Sequence, residues 1–227
     1  MTVILVLATF VGFLLIDHFM NRGKAPVFAA QTGSRREPIA PKLQPSLAGG
    51  FKVPETLRFH PGHTWALSES PNLVRIGVDD FASKIVGNKV DSVQLPQRGQ
   101  WIRQGQKVWS VIRNGQKIDM VSPIEGSVSD VNDALANDPS LLNKDPYGEG
   151  WMVTVQSPDA KTNFRNLMGG ALARWWTEES SSRLMKKLPG TMGALALAQD
   201  GGEASHDLTA ELSSEKVAEI AREFFLT

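Results

Sequence analysis

Lys107-Val108-Trp109-Ser110-Val111-Ile112, then Arg113-Asn114-Gly115-Gln116, then Lys117-Ile118-Asp119-Met120-Val121 is the stretch on which the fold turns. Two β-rich apolar runs flank an Asn-Gly pair. A two-residue type I′ turn needs positive φ at both central positions, and Asn followed by Gly meets that need at the lowest cost. The stretch predicts an antiparallel hairpin with Asn114-Gly115 at its tip.

Similar runs lie on both sides. Upstream are Thr64–Leu67, Leu73–Val78 and Lys89–Leu95, the last stopping at Pro96. Downstream are Gly126–Val131 and Trp151–Val155. Phe81 and Ile85, four apart, predict a short helix over 80–85. Short strands at close spacing predict a small barrel or sandwich. Its core should include Trp65, Ile76, Val78, Val90, Val93, Val108, Val111, Val128, Val131 and Val153.

The texture changes after Ser157-Pro158-Asp159. Residues 163–188 read as one helix with Leu167, Ala171, Trp175, Leu184 and Leu188 on its apolar side. Pro189-Gly190 stops it, and the run Ser180-Ser181-Ser182 marks a weak point inside it. Ser213 or Ser214 can cap a last helix whose face is Val217, Ile220, Ala221 and Phe224, with Glu215 early and Arg222 late, as the helix dipole favours.

At the other end, Thr2–Ile16 is uncharged and apolar. Counting on to Met20 gives about 20 residues, the length of a membrane span. No Lys or Arg precedes the apolar core, which argues against a cleaved signal peptide. Arg22, Lys24, Arg35 and Arg36 follow it, and basic flanks stay cytoplasmic, so the expectation is a single-pass anchor with the N-terminus outside and the main domain inside. Residues 21–56 carry Pro26, Pro38, Pro41, Pro45 and Pro54 without helical or strand periodicity and read as a tether. The expected organisation is therefore an anchor over 1–20, a tether over 21–56, a β domain over 57–158, a helical extension over 159–188 and a C-terminal loop and helix over 189–227.

Composition narrows the function. The 227 residues contain no Cys, which excludes a disulfide framework, a Cys-ligated metal and a thiol nucleophile. Lys and Arg number 24, as do Asp and Glu, which gives no electrostatic footprint for nucleic acid. The balance hides an asymmetry, because residues 1–50 hold five basic and two acidic side chains. His18, His60, His63 and His206 are scattered. His60 and His63 flank Pro61-Gly62 and would need a third converging ligand to hold a metal, so they read as a polar loop. No nucleophile–base–acid set or phosphate loop is present, so neither an enzyme nor a metal site is expected.

Several blocks in order resemble the glycine cleavage system H protein, a small lipoyl carrier with a barrel-sandwich hybrid fold. They are His63-Thr64-Trp65, Ile76–Ala82, Gly87–Val90 leading to Leu95–Gly99, Ser122–Val128, Val131–Leu135, and the long run Leu141-Leu142-Asn143-Lys144-Asp145-Pro146-Tyr147-Gly148-Glu149-Gly150-Trp151. Their turn formers also read as scaffold in their own right. The resemblance implies a mainly β domain of two small sheets, extended here by C-terminal helices and the N-terminal anchor.

One position departs from the family. Its lipoyl group hangs on a Lys at a hairpin tip, eight residues before the Pro that here is Pro123, and the matching residue is Gly115. Glycine has no amine to acylate. The nearest amine is Lys117, two positions on and therefore on the same face of a strand. The expectation is a membrane-tethered, non-lipoylated domain, without cofactor, that acts as a structural or interaction subunit of a membrane-associated protein complex. The alternative is a glycine-cleavage-type carrier with lipoate on Lys117. A periplasmic adaptor is a third reading, though no long helical hairpin interrupts residues 57–155. Trp175-Trp176 point about 100° apart on a helix, which would let one pack while the other faces outward to a partner or a membrane interface, but a fully packed pair is the favoured reading.

Overall fold

The computed structural model describes residues 45–188 and 202–226. The predicted anchor over 1–20 lies outside the described residues. Among the described residues no helix is long and apolar enough to cross a membrane.

Chain order is β1 (Pro45–Ala48), β2 (Phe51–Pro54), β3 (Arg58–His60), β4 (Thr64–Ser70), β5 (Leu73–Val78), α1 (Asp80–Val86), β6 (Val90–Gln94), β7 (Trp101–Ile102), β8 (Lys107–Arg113), β9 (Gln116–Val121), β10 (Gly126–Val131), α2 (Ala134–Asn137), α3 (Leu141–Lys144), β11 (Val153–Gln156), α4 (Ala160–Arg165), α5 (Gly170–Met185) and α6 (Ser214–Phe225). The larger sheet has the order β3-β4-β5-β11-β10-β7, the smaller β6-β8-β9, and β1-β2 form a separate ladder. That ladder begins inside the stretch read as a tether. Pairing of Leu47 with Lys52 around Gly49-Gly50 makes a hairpin too short to show periodicity in the sequence.

Side chains from both main sheets meet in one core. Val74, Ile76, Val78, Val128, Val153 and Val155 come from the larger sheet, Trp109, Val111, Ile118 and Met120 from the smaller, and Phe81, Ile85, Ile220 and Phe224 from helices. Of the predicted core, Trp65, Ile76, Val78, Val111, Val128 and Val153 are buried. Val90, Val93, Val108 and Val131 are only half-buried and pack on the core's margin, because β6 is an edge strand and bulges interrupt β6, β8 and β10. Trp65 lies in a second cluster with Phe59, Leu57 and Ala173. A Cβ at Gly77 would come within 2.9 Å of the Trp65 indole, so this cluster needs glycine there.

The short helix α1 starts where Asp79 Oδ1 accepts from the Ala82 N–H at 2.8 Å, an N-cap. The single helix expected over 163–188 is instead two. α4 ends at Arg165, Met168 bridges to Phe59, and α5 begins at Gly170, whose φ is 55°. The strand-like bridge to Phe59 is what breaks the helix. The serine run does not break α5, since Ser181 Oγ donates to the Gly49 carbonyl at 2.8 Å and keys the helix onto the β1-β2 turn. The predicted apolar side is partly wrong too: Ala171 and Trp175 are exposed, while Ala173, Thr177, Ser180, Ser181 and Leu184 are buried. The last helix begins as expected, with Ser213 Oγ accepting from the Lys216 N–H at 3.3 Å.

Candidate functional site

The β8-β9 hairpin closes where the sequence places it. Arg113 pairs with Gln116, and Asn114 and Gly115 have φ of 46° and 75°, as a type I′ turn requires. A Cβ on Gly115 would meet nothing within 4 Å, so the tip is open space. The Gly115 N–H donates to Asp91 Oδ2 at 2.8 Å, which ties the tip to β6. What reaches solvent at this apex is the Asn114 side chain and the Gly115 backbone, with no amine.

Lys117 sits one step down β9, opposite Ile112. Its side chain is 58% exposed, and Nζ lies 3.5 Å from Asp119 Oδ1. Lys107 Nζ stands 3.7 Å from Asp119 Oδ2, and Ser110 Oγ donates to Oδ1 at 2.8 Å. Partial burial opposes ionisation of Asp119. The Ser110 hydroxyl and the two ammonium groups outweigh it and hold the carboxyl below its ordinary value. Lys117 therefore belongs to an exposed Lys–Asp–Lys group on the strand flank, beside an open groove of about 480 Å³ that Gln94, Gln97 and Trp109 also line.

One feature of the hairpin was missed in the sequence. Arg113, immediately before the turn, is 1% exposed. Its Nε donates to the Val86 carbonyl at 2.7 Å, and Nη2 reaches both the carbonyl and the hydroxyl of Thr209 at 3.2 Å. Strand alternation does put Arg113 on the inward face with Val111. The signal was legible, but a lone Arg beside a turn reads as solvated unless its partners are known. The C-terminal helix α6 packs along β9 on the same flank, and a hollow of about 170 Å³ separates it from Lys107, Lys117 and Asp119. The hairpin is thus gripped by residues 202–226.

The long block Leu141–Trp151 is scaffold, as its turn chemistry predicts. Trp65 Nε1 donates to the Pro146 carbonyl at 3.0 Å, and Asn143 Nδ2 donates to the Ser83 and His206 carbonyls. The buried Tyr147 hydroxyl donates to the Lys52 carbonyl at 2.6 Å and accepts from the Asp80 N–H at 2.9 Å. Burial, then the negative charges of Asp79 and Asp80, push its ionisation well above the ordinary range. It is a permanent hydrogen-bonding strut.

His63 is buried, and Nδ1 lies 2.8 Å from Asp79 Oδ2, so it has no access to substrate. His60 Nδ1 accepts from the Gly62 N–H at 3.0 Å. Among the described residues no three His, Asp or Glu side chains are placed to hold a metal. The tryptophan pair is not packed as a whole, contrary to the favoured reading: Trp176 stacks on His63 with centroids 4.3 Å apart, while Trp175 is 62% exposed.

A profile of the glycine cleavage H-protein family matches residues 57–179. A glycine cleavage system H protein of Anaeromyxobacter sp. (strain K) is 35% identical over 129 residues, 57% of this chain and 98% of that protein. The H protein of Coprothermobacter proteolyticus is 38% identical over 109 residues, 48% of this chain and 85% of that one. A crystal structure of a glycine cleavage system H protein from Mycobacterium marinum aligns with a TM-score of 0.43 at 28% identity, covering 47% of this chain and 87% of that one.

Proposed function

This chain belongs to the glycine cleavage H-protein family, and we propose that it acts as a docking member of that family with no lipoyl arm at its hairpin tip. In this reading it is a structural or interaction subunit of a membrane-associated protein complex, tethered to the membrane by residues 1–20. The observation that carries it is Gly115: the tip holds a type I′ turn, a backbone tie to Asp91 and no amine. A swinging arm needs its root at an exposed apex. Here the apex offers an Asn114 amide and backbone but no amine, on a hairpin that Arg113 binds to the body of the domain.

A second reading keeps the family's carrier chemistry and moves it to Lys117. It is favoured by the relatives, which are H proteins matched over nearly their whole length, and they support it more directly than they support a tethered subunit. The exposure of Lys117 supports it as well. Against it stands position, since the amine lies on a strand flank beside α6 and not at the apex.

Intact mass spectrometry of the full chain, made in a host competent for lipoylation and fed lipoate, separates the two. An unmodified mass is expected. An octanoyl or lipoyl adduct on Lys117 would establish the carrier. Fractionation tests the tether: the full chain should pellet with membranes, and a chain starting after residue 24 should stay in the supernatant.

A further inference from the structure

We propose that the hollow between β9 and the C-terminal helix α6 binds a carboxylate side chain from an acidic segment of a partner protein. The proposal rests on the docking reading above and names its surface. The hollow is lined by Lys107, Lys117, Asp119 and Arg222 around a floor of Ile118, Ala218 and Ala221. Three cations face it and one anion, and the floor side chains are buried. Arg222 is exposed and makes no ion pair among the described residues. The two lysines hold Asp119 only at 3.5 and 3.7 Å, so both keep donors free for a second acceptor.

The chemistry favours a carboxylate over a phosphate. A phosphate brings more negative charge against Asp119, whose carboxyl the Ser110 hydroxyl and the two lysines hold below its ordinary value. At about 170 Å³ the space suits the short stem of Glu or Asp, with its methylenes on the apolar floor and its head between Arg222 and the lysines. Arg presents a planar fork that pairs with a carboxylate in two parallel bonds. The wall that carries Arg222 lies beyond residues 57–179, so this chain builds the site with an element outside the family match.

The test is fluorescence anisotropy with the full chain and a short labelled peptide of alternating Glu and Ala. Saturable binding is expected, weakened about tenfold or more by Arg222→Glu and by Lys107→Glu, as for charge reversal at a paired site. Lys161→Glu on α4 makes the same charge change elsewhere and should leave binding intact, as should a change of buffer anion. A Gln-Ala peptide should not bind. Thermal melts of the variants confirm that each is folded. Absence of saturable binding, or equal binding by Arg222→Glu, overturns the proposal. Inorganic phosphate displacing the peptide at lower concentration than glutamate reassigns the hollow and overturns it as well. Co-purification from the native host separates this failure from that of the docking reading: a complex retained equally by wild type and Arg222→Glu leaves docking standing and removes the hollow.

Discussion

Arg113 Nη2 lies 3.2 Å from both the carbonyl and the hydroxyl oxygen of Thr209, a residue 96 positions further along the chain. Thr209 Oγ1 in turn donates to the Ile85 carbonyl at 2.7 Å. This bond joins the base of the hairpin tip, the end of α1 and the C-terminal segment in one buried arrangement. Replacing Arg113 with Ala strips the Val86 and Thr209 carbonyls of their donor and leaves a void. The variant should lose about 2–4 kcal/mol in urea unfolding, the range for buried charged hydrogen bonds plus lost packing. Amide exchange should also quicken in residues 202–226, and equal protection there would show that Arg113 does not hold the segment.

Gly115 and Lys117 separate conformation from chemistry. Gly115→Lys meets no steric obstacle but forces a side chain into positive φ, which should cost about 1 kcal/mol. It restores an amine at the tip but not the surroundings, where Arg113 and Asn114 stand, so no lipoyl adduct is expected by mass. Lys117→Ala should change stability by no more than about 0.5 kcal/mol, as for an exposed strand residue. Loss of cellular function in Lys117→Ala with folding intact, together with an acyl adduct on Lys117 in the wild-type mass, would restore the carrier reading.

The adjacent tryptophans should behave as opposites. Trp176→Ala removes the ring stacked on His63 and should cost about 2–3 kcal/mol in thermal or denaturant melts. Trp175→Ala should stay within about 0.5 kcal/mol, because its ring faces solvent. Similar losses in both would mean that α5 is rotated relative to its position here.

Acid should loosen the C-terminal segment through Glu203. Burial opposes its ionisation, but the Lys52 ammonium at 2.6 Å and the Lys84 ammonium at 3.3 Å prevail and lower its pKa in the folded state. A depressed carboxylate contributes stability above its unfolded pKa and loses it as pH falls through the folded one. Glu203→Gln should therefore be less stable than wild type near neutrality and show a shallower decline below the ordinary Glu range. Parallel acid limbs for the two proteins would show that the contact contributes nothing, as many exposed pairs do.

Local rules were enough for a large part of this architecture. Alternation located β5, strand-like runs between turn formers located β8, β9 and β10, and Asn114-Gly115 specified the hairpin and its register, because turn type and strand period depend on neighbouring residues only. Ser213 caps its helix for the same reason. The absence of an amine at the tip was legible in one letter. What depends on partners distant in the chain was not. The break between α4 and α5 exists because Met168 pairs with Phe59, and Trp175 rather than Trp176 faces outward because His63 offers its ring to only one of them. Arg113 is buried because Val86 and Thr209 bring carbonyls to it. The charge at the β9–α6 hollow arises only when Arg222 folds back beside Lys107 and Lys117. Each of these follows from which surfaces meet, and long-range packing sets that where composition and periodicity carry no information.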